Sequence, residues 1–302
     1  MNLLRRTARA IPTSLIDATL GSPGLARLAG HVGLRRRLGG ERLTRRLDHP
    51  LRVALTCGLQ VHCNPEREGI IAREFVRDGV YEQGLLDLIA VLLPADGRML
   101  DVGGCYGHVG MHAGLCAPAG EVVIVEANPA MAARIKAHID TNGLTNVQVI
   151  NAAAGSGPGT VALEFDAENL GATQVVAVDG GDRAAAAAGA RVAVIALDDL
   201  VHQLAWPRVD LVKLDVEGYE LEALRGLASV LTGKHRPTVI CEHSTDRPVV
   251  GGDLDDLWTV MDQAGYRAFL PERGKAGGGQ LRPIDRASAP HHDNVVFQPV
   301  SG

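Results

Sequence analysis

Aromatic side chains are scarce, making up 3% of 302 residues against 46% apolar residues overall. A core built from Val, Leu, Ile and Ala, with few large rings, suits a buried parallel sheet covered by helices. The five cysteines, Cys57, Cys63, Cys105, Cys116 and Cys241, are odd in number and form no CxxC pair or zinc-type spacing. That excludes a disulfide framework and fits a reduced, cytoplasmic setting. Long apolar runs are also missing. The best window, Leu85 to Leu93, is short and contains Asp87, so no transmembrane segment is expected. No apolar block of signal-peptide length follows Arg5, Arg6 and Arg9.

Positive charge is confined to one end. Residues 1–52 hold eleven arginines and three acids, a net of +8, whereas the remaining 250 residues carry 19 basic and 32 acidic side chains, a net of −13. An enzyme of nucleic acids needs a basic substrate face, and here the larger part of the chain is acidic, so nucleic acid is not expected as a partner. Arg35, Arg36 and Arg37 read as a solvated helix face that is also suited to peripheral contact with acidic lipid. The sequence bears no mark of oligomeric state.

Residues 1–65 read as short helices broken by Pro12, Gly21, Pro23 and Gly39-Gly40, a basic N-terminal segment. Residues 66–302 read as the main domain. From Ile70 to Leu93 apolar positions recur at helical spacing, which predicts one helix ending at Pro94. Beyond it, strand-length apolar runs alternate with alanine-rich helical stretches. Strands are expected at 99–102, 122–126, 147–151, 211–215, 239–242 and 294–297, with extra β segments at 160–165 and 191–195 beside a loop at 184–190. The fold class is α/β, a doubly wound, mostly parallel Rossmann-like sheet, whose ligands bind beyond the carboxyl ends of the strands.

The run Asp101-Val102-Gly103-Gly104-Cys105-Tyr106-Gly107 stands at the first such end. Its glycines permit a tight turn and close approach of backbone to a ligand. Gly104, Gly107 and Gly110 reproduce part of a dinucleotide fingerprint, which leaves a nicotinamide-dependent oxidoreductase as an alternative. Asp101 argues against a pyrophosphate, because a carboxylate there repels phosphate and attracts a cation. S-adenosylmethionine, with its ammonium and sulfonium, fits. Glu126 ends the second strand, where an acid accepts ribose hydroxyls. Asn128-Pro129 starts the next helix, and Asn151-Ala152 ends the third strand, where an adenine ring would lie.

These segments, with Glu126-Ala127-Asn128-Pro129, Ile195-Ala196-Leu197-Asp198-Asp199-Leu200 and Val212-Lys213-Leu214-Asp215-Val216-Glu217-Gly218-Tyr219-Glu220, resemble the FkbM family of methyltransferases from about Tyr81 to Phe297. The resemblance implies a class I S-adenosylmethionine-dependent O-methyltransferase acting on a small molecule, sugar, lipid or other natural product, and implies that the acceptor meets the methyl group near the end of the 211–215 strand. Gly104-Cys105 departs from the family's usual Ala-Asn.

Burying Lys213 requires a carboxylate partner. If the strand stays extended, Lys213, Asp215 and Glu217 share one side; in a purely structural role Lys213 pairs with Glu217 or Glu220. An alcohol must lose a proton, and Asp215, Glu217, Glu242 and His243 are the candidates to take it. The same groups leave room for a divalent metal that lowers the hydroxyl pKa. Glu220 and Glu222 read as structural. His291, His292 and Asp293 read as a solvated loop, and His108 with His112 as a weak metal pair. A non-catalytic cofactor-binding scaffold remains the non-enzyme alternative.

Overall fold

The computed structural model describes residues 50–65, 67–164, 174–178, 190–272 and 280–300. The Arg-rich start and the loop residues 184–189 lie outside them. The described residues form two compact units. The smaller comprises residues 50–83 with Asp140–Asn142. Its antiparallel hairpin joins β1 (Leu51–Ala54) to β2 (Gln60–Cys63), so residues 50–65 are not helical as the sequence suggested. Leu51, Val53, Val61 and Cys63 alternate inward, and Gly58 at φ +97° makes the turn.

The expected single helix over 70–93 is two, α1 (Gly69–Asp78) and α2 (Gln83–Leu92). Gly79, at φ +75°, closes α1 by donating its N–H to the carbonyls of Glu74 and Phe75. Helical periodicity survives across that break, which hides it from a pattern search.

The larger unit follows in chain order as β3 (Arg98–Val102), α3 (His108–Cys116), β4 (Glu121–Glu126), α4 (Pro129–Asn142, whose last three residues belong to the smaller unit), β5 (Val147–Asn151), β6 (Ala153–Ala154), β7 (Gly159–Glu164), β8 (Gln174–Val178) and β9 (Arg191–Ile195). Then come α5 (Leu197–Gln203), β10 (Leu211–Leu214), α6 (Glu220–Arg225), α7 (Ala228–Thr232), β11 (Thr238–Ser244), α8 (Leu254–Gln263), β12 (Tyr266–Pro271), β13 (Leu281–Ile284) and β14 (His292–Pro299). The main sheet has the order β13-β12-β14-β11-β10-β3-β4-β5. Strands β11, β10, β3, β4 and β5 run parallel, and β12, β13 and β14 pair antiparallel at one side.

Among the described residues the main sheet has eight strands. Strands β12 and β13 were absent from the sequence reading, because Gly265, Pro271 and a mixed polar pattern mask their alternation. One face, with Leu100, Val102, Val125, Val212, Leu214 and Cys241, packs on α5 to α8. The other carries Asp101, Ile124 and Lys213 beside α3 and α4. A second, four-stranded sheet, β6-β9-β7-β8, packs Val161, Leu163 and Val192 against Tyr219, with Val216 and Val250 alongside.

Candidate functional site

The parallel register of β10 and β3 sets Lys213 opposite Asp101. Lys213 is 4% exposed and Asp101 0%. The ammonium lies 3.2 Å from Asp215 Oδ2 and 3.7 Å from Asp101 Oδ1, and donates to the Gly103 carbonyl at 3.0 Å. The sequence-based pairing with Glu217 or Glu220 is thus corrected: the partners are the two aspartates and the glycine loop. A buried ammonium needs such compensation. Among the described residues, neither Asp101 oxygen accepts a hydrogen bond of normal geometry, and burial, opposed by Lys213, raises its pKa. Being fully enclosed, Asp101 faces the chain's own cation.

The glycine loop turns as expected, with Gly103 at φ +85° and Gly107 at +75°. The space that a Cβ would fill is occupied by protein, however. A Cβ on Gly103 would stand 1.7 Å from the Asp215 carbonyl oxygen, on Gly104 2.2 Å from Ile124, on Gly107 2.8 Å from Ile135 and on Gly110 2.5 Å from Ile124. Close packing of loop, strand and helix accounts for the spacing that the sequence left open to a dinucleotide. Cys105 stands at φ +50°, a left-handed conformation in which Asn is much commoner than Cys. The departure from Ala-Asn therefore adds backbone strain to the loop.

Glu126 is 7% exposed and accepts one backbone N–H on each oxygen, from Cys105 at 2.8 Å and Asn128 at 2.7 Å. Each oxygen retains accepting capacity. Burial pushes its pKa up to about 7 against those two hydrogen bonds. Asn128 caps α4 through its Oδ1 on the N–H of Ala130 at 3.0 Å. Asn151 donates to the carbonyls of Glu126 and Ala127 at 2.8 and 2.9 Å, and Ala152 donates its N–H to the Glu126 carbonyl at 3.2 Å. All of these groups surround one turn. The Cys105 thiol is pushed upward by burial, then by Glu126, with Asp215 adding to the shift and Lys213 opposing it.

Beyond β10 the strand does not stay extended. Glu217, at φ +56°, and Gly218, at +97°, reverse the chain, so Glu217 leaves the Lys213 row and meets Arg247 at 2.5 Å. Burial raises Glu217 to about 7, with Arg247 opposing. Arg247 also binds Glu242, Nη1 to Oε2 at 2.7 Å and Nη2 to Oε1 at 3.3 Å. Burial and Asp215 push Glu242 up to about 8. Burial would raise Asp215 too, but Lys213, a hydrogen bond with Glu242 and Arg247 hold it below the ordinary range. The two carboxyls titrate as a pair, Asp215 held low chiefly by Lys213 and Glu242 raised by burial and by Asp215.

His243 does not join them. Side chains alternate along β11, and its ring packs edge-on to Trp258 of α8, centroids 6.0 Å apart, on the opposite face. His292, read from sequence as solvated, places Nε2 3.5 Å from Glu242 Oε1 while keeping an exposed side chain. Glu220 is structural as expected, accepting from the N–H groups of Val216 and Gly218. His112 contacts the Leu86 carbonyl at 3.1 Å, and burial lowers His108 to about 3. Among the described residues no three His, Cys, Asp or Glu side chains form a metal cage. Nor, among them, is any helix long and apolar enough to cross a membrane.

Sequence reasoning missed Arg247. An isolated arginine in the loop Thr245-Asp246-Arg247-Pro248 has no periodicity, but carboxylates gathered at adjacent strand ends in excess of one lysine signal a second cation.

A doubly wound sheet with the antiparallel strand β14 inserted between β11 and β12, a glycine turn after β3 and acids at the carboxyl ends of β4 and β10 defines a Rossmann-like methyltransferase fold. The chain belongs to the FkbM methyltransferase family, whose domain matches residues 101–268, more than half of its length. The hexuronic acid methyltransferase AglP of Haloferax volcanii is 27% identical over 156 residues, covering 52% of this chain. The chain thus spans 60% of the length of that relative. Among solved structures, a TehB-like SAM-dependent methyltransferase from Corynebacterium glutamicum aligns with a TM-score of 0.41 and 14% identity over 74% of this chain and 91% of its own. A putative O-methyltransferase from Klebsiella pneumoniae gives 0.40 and 15%, over 74% and 81%.

Proposed function

We propose that the chain binds S-adenosylmethionine and transfers its methyl group to a hydroxyl of a sugar or related small molecule. The observation that carries this reading is the Asp215–Glu242 carboxyl pair, set beside a glycine turn that also holds Glu126. When bound, the donor supplies a sulfonium methyl that a hydroxyl oxygen attacks in line, leaving a neutral thioether. Glu126 keeps a free acceptor site on each oxygen for the two ribose hydroxyls. The backbone of Gly103 to Cys105 lines the same side, with Asn128, Asn151 and Ala152 shaping the strand ends around it. Asp101 acts from beneath by fixing Lys213, which in turn orients Asp215.

The acceptor proton passes to the Asp215–Glu242 pair once the pair has lost its shared proton, so the rate rises with pH through about 8. Lys213 already contacts Asp215 and Arg247 already contacts Glu242, which favours this acid-base route over a divalent ion. The sugar class of acceptor is supported by the hexuronic acid relative. A screen with labelled S-adenosylmethionine against glucuronic acid, neutral sugars, polyols and phenols, with and without chelator, tests the proposal. Transfer to a hydroxyl that survives the chelator is expected; no transfer to any acceptor by folded protein contradicts it.

Glu126 supplies a separate prediction. Its carboxyl must be ionised to accept two hydroxyls, and its raised pKa of about 7 means that protonation competes just below neutrality. Donor affinity therefore weakens as pH falls from about 8 to about 6. Glu126→Gln lowers affinity by about 10- to 100-fold at the higher pH, the loss of a charged hydrogen-bond acceptor, and removes the pH slope. Calorimetry at several pH values reads both effects; an unchanged slope in the variant would remove Glu126 from the donor site.

A further inference from the structure

We propose that Arg247 is a positioning residue for the reaction, its guanidinium fastening Glu217, from the turn after β10, to Glu242, on β11, and so fixing the Glu242 carboxyl against Asp215. This rests on the methyltransferase reading. Arg247 holds both Glu242 oxygens, a forked contact that sets orientation as well as distance. The same nitrogen Nη1 reaches Glu217 Oε2 at 2.5 Å. Glu217 occupies a left-handed backbone position that side chains other than Gly, Asn and Asp seldom adopt, and such strain persists only where surrounding contacts impose it. The guanidinium is one such contact.

Arg247 also controls when the pair can accept a proton. The charged groups facing Glu242 are Asp215, Glu217 and Glu220, which raise its pKa, and Arg247, which lowers it; His292 lies 3.5 Å away on β14, and Lys213 reaches the pair through Asp215. Without Arg247 three acids would hold the Glu242 proton to higher pH, and the acid limb of the rate profile would follow.

Carbon NMR of carboxyl-labelled glutamate, with the Glu242 signal assigned by its loss in Glu242→Gln, measures this without any ligand. Wild type should titrate near about 8. In Arg247→Gln the midpoint should rise by about one unit or more; in Arg247→Lys, which keeps the charge but not the fork, it should rise by less. An unmoved Glu242 midpoint in a folded Arg247→Gln overturns the proposal. Should that variant not fold, an unmoved midpoint in Arg247→Lys does so.

Kinetics with glucuronic acid as probe acceptor form the second arm. The acid limb should move with the NMR midpoint, and kcat at neutral pH should fall about tenfold, the rate equivalent of a one-unit shift, with KM little changed. A raised KM with an unmoved limb would make Arg247 a receptor for the acceptor carboxylate and overturn the positioning role. Lack of turnover of every acceptor by wild type would count against the methyltransferase reading alone, since the NMR arm still decides what Arg247 does to Glu242.

Discussion

Asp215→Asn is expected to lower methyl transfer by about 10²- to 10⁴-fold, the range for loss of a positioned acid-base group, while donor affinity changes less than about tenfold. Asp215 stands between Lys213, 3.2 Å away, and the Glu242 carboxyl. The amide keeps the shape but can neither hold the ammonium as an ion pair nor share a proton with Glu242. Lys213 keeps Asp101 at 3.7 Å and the Gly103 carbonyl at 3.0 Å, so the buried cation stays compensated and the fold persists. Single-turnover transfer and calorimetric donor titration separate the two effects. A variant retaining more than about a tenth of wild-type transfer would place proton abstraction elsewhere.

Gly103→Ala is expected to damage fold and donor site together. The added methyl would meet the backbone oxygen of Asp215 at 1.7 Å, and φ is +85°, so no side-chain rotation relieves the clash. Left-handed strain contributes about 1–2 kcal/mol. Parting two strand ends that are joined by the Asp215 N–H to Val102 carbonyl bond of 3.0 Å brings the loss to about 3 kcal/mol or more. For a domain of this size the melting temperature drops by about 6–12 °C, and donor binding is lost because the loop leaves Glu126. A melting temperature within about 2 °C of wild type, with donor affinity intact, would refute the packing role assigned to this glycine.

The two expectations rest on residues legible in sequence to different degrees. Asp101, Gly103, Glu126, Lys213 and Asp215 could be placed because the parallel strands are nearly unbroken Val, Leu and Ile runs, and because every ligand-facing end of such a sheet is a carboxyl end. That Lys213 would find a carboxylate followed from the cost of burying it. Which carboxylate depended on register: a shift of one residue would have taken Asp101 away from it, and register between β3 and β10 leaves no trace in either strand alone. Glu217 was placed on the Lys213 row by the two-residue period, and the period ended at Leu214. His243 was grouped with Glu242 as its neighbour, although neighbours in a strand face opposite ways.

Elsewhere the missed features were breaks and contacts between distant segments. Gly79 ends a helix without disturbing its apolar spacing. The β1–β2 hairpin was hidden because four-residue strands carry too little alternation to compete with the surrounding helical signals. Arg247 and His292 converge on Glu242 from different segments, one after β11 and one on β14, and no local pattern announces either.

Donor binding is the central claim, and calorimetric titration of S-adenosylmethionine and its demethylated product into the folded chain at about pH 8 tests it most directly. Saturable binding of both, weakened by about tenfold or more in Glu126→Gln, is the predicted result. Absence of binding by both ligands to a sample that melts cooperatively would contradict it, and saturable binding of NADH in their place would assign the glycine turn to a nicotinamide cofactor.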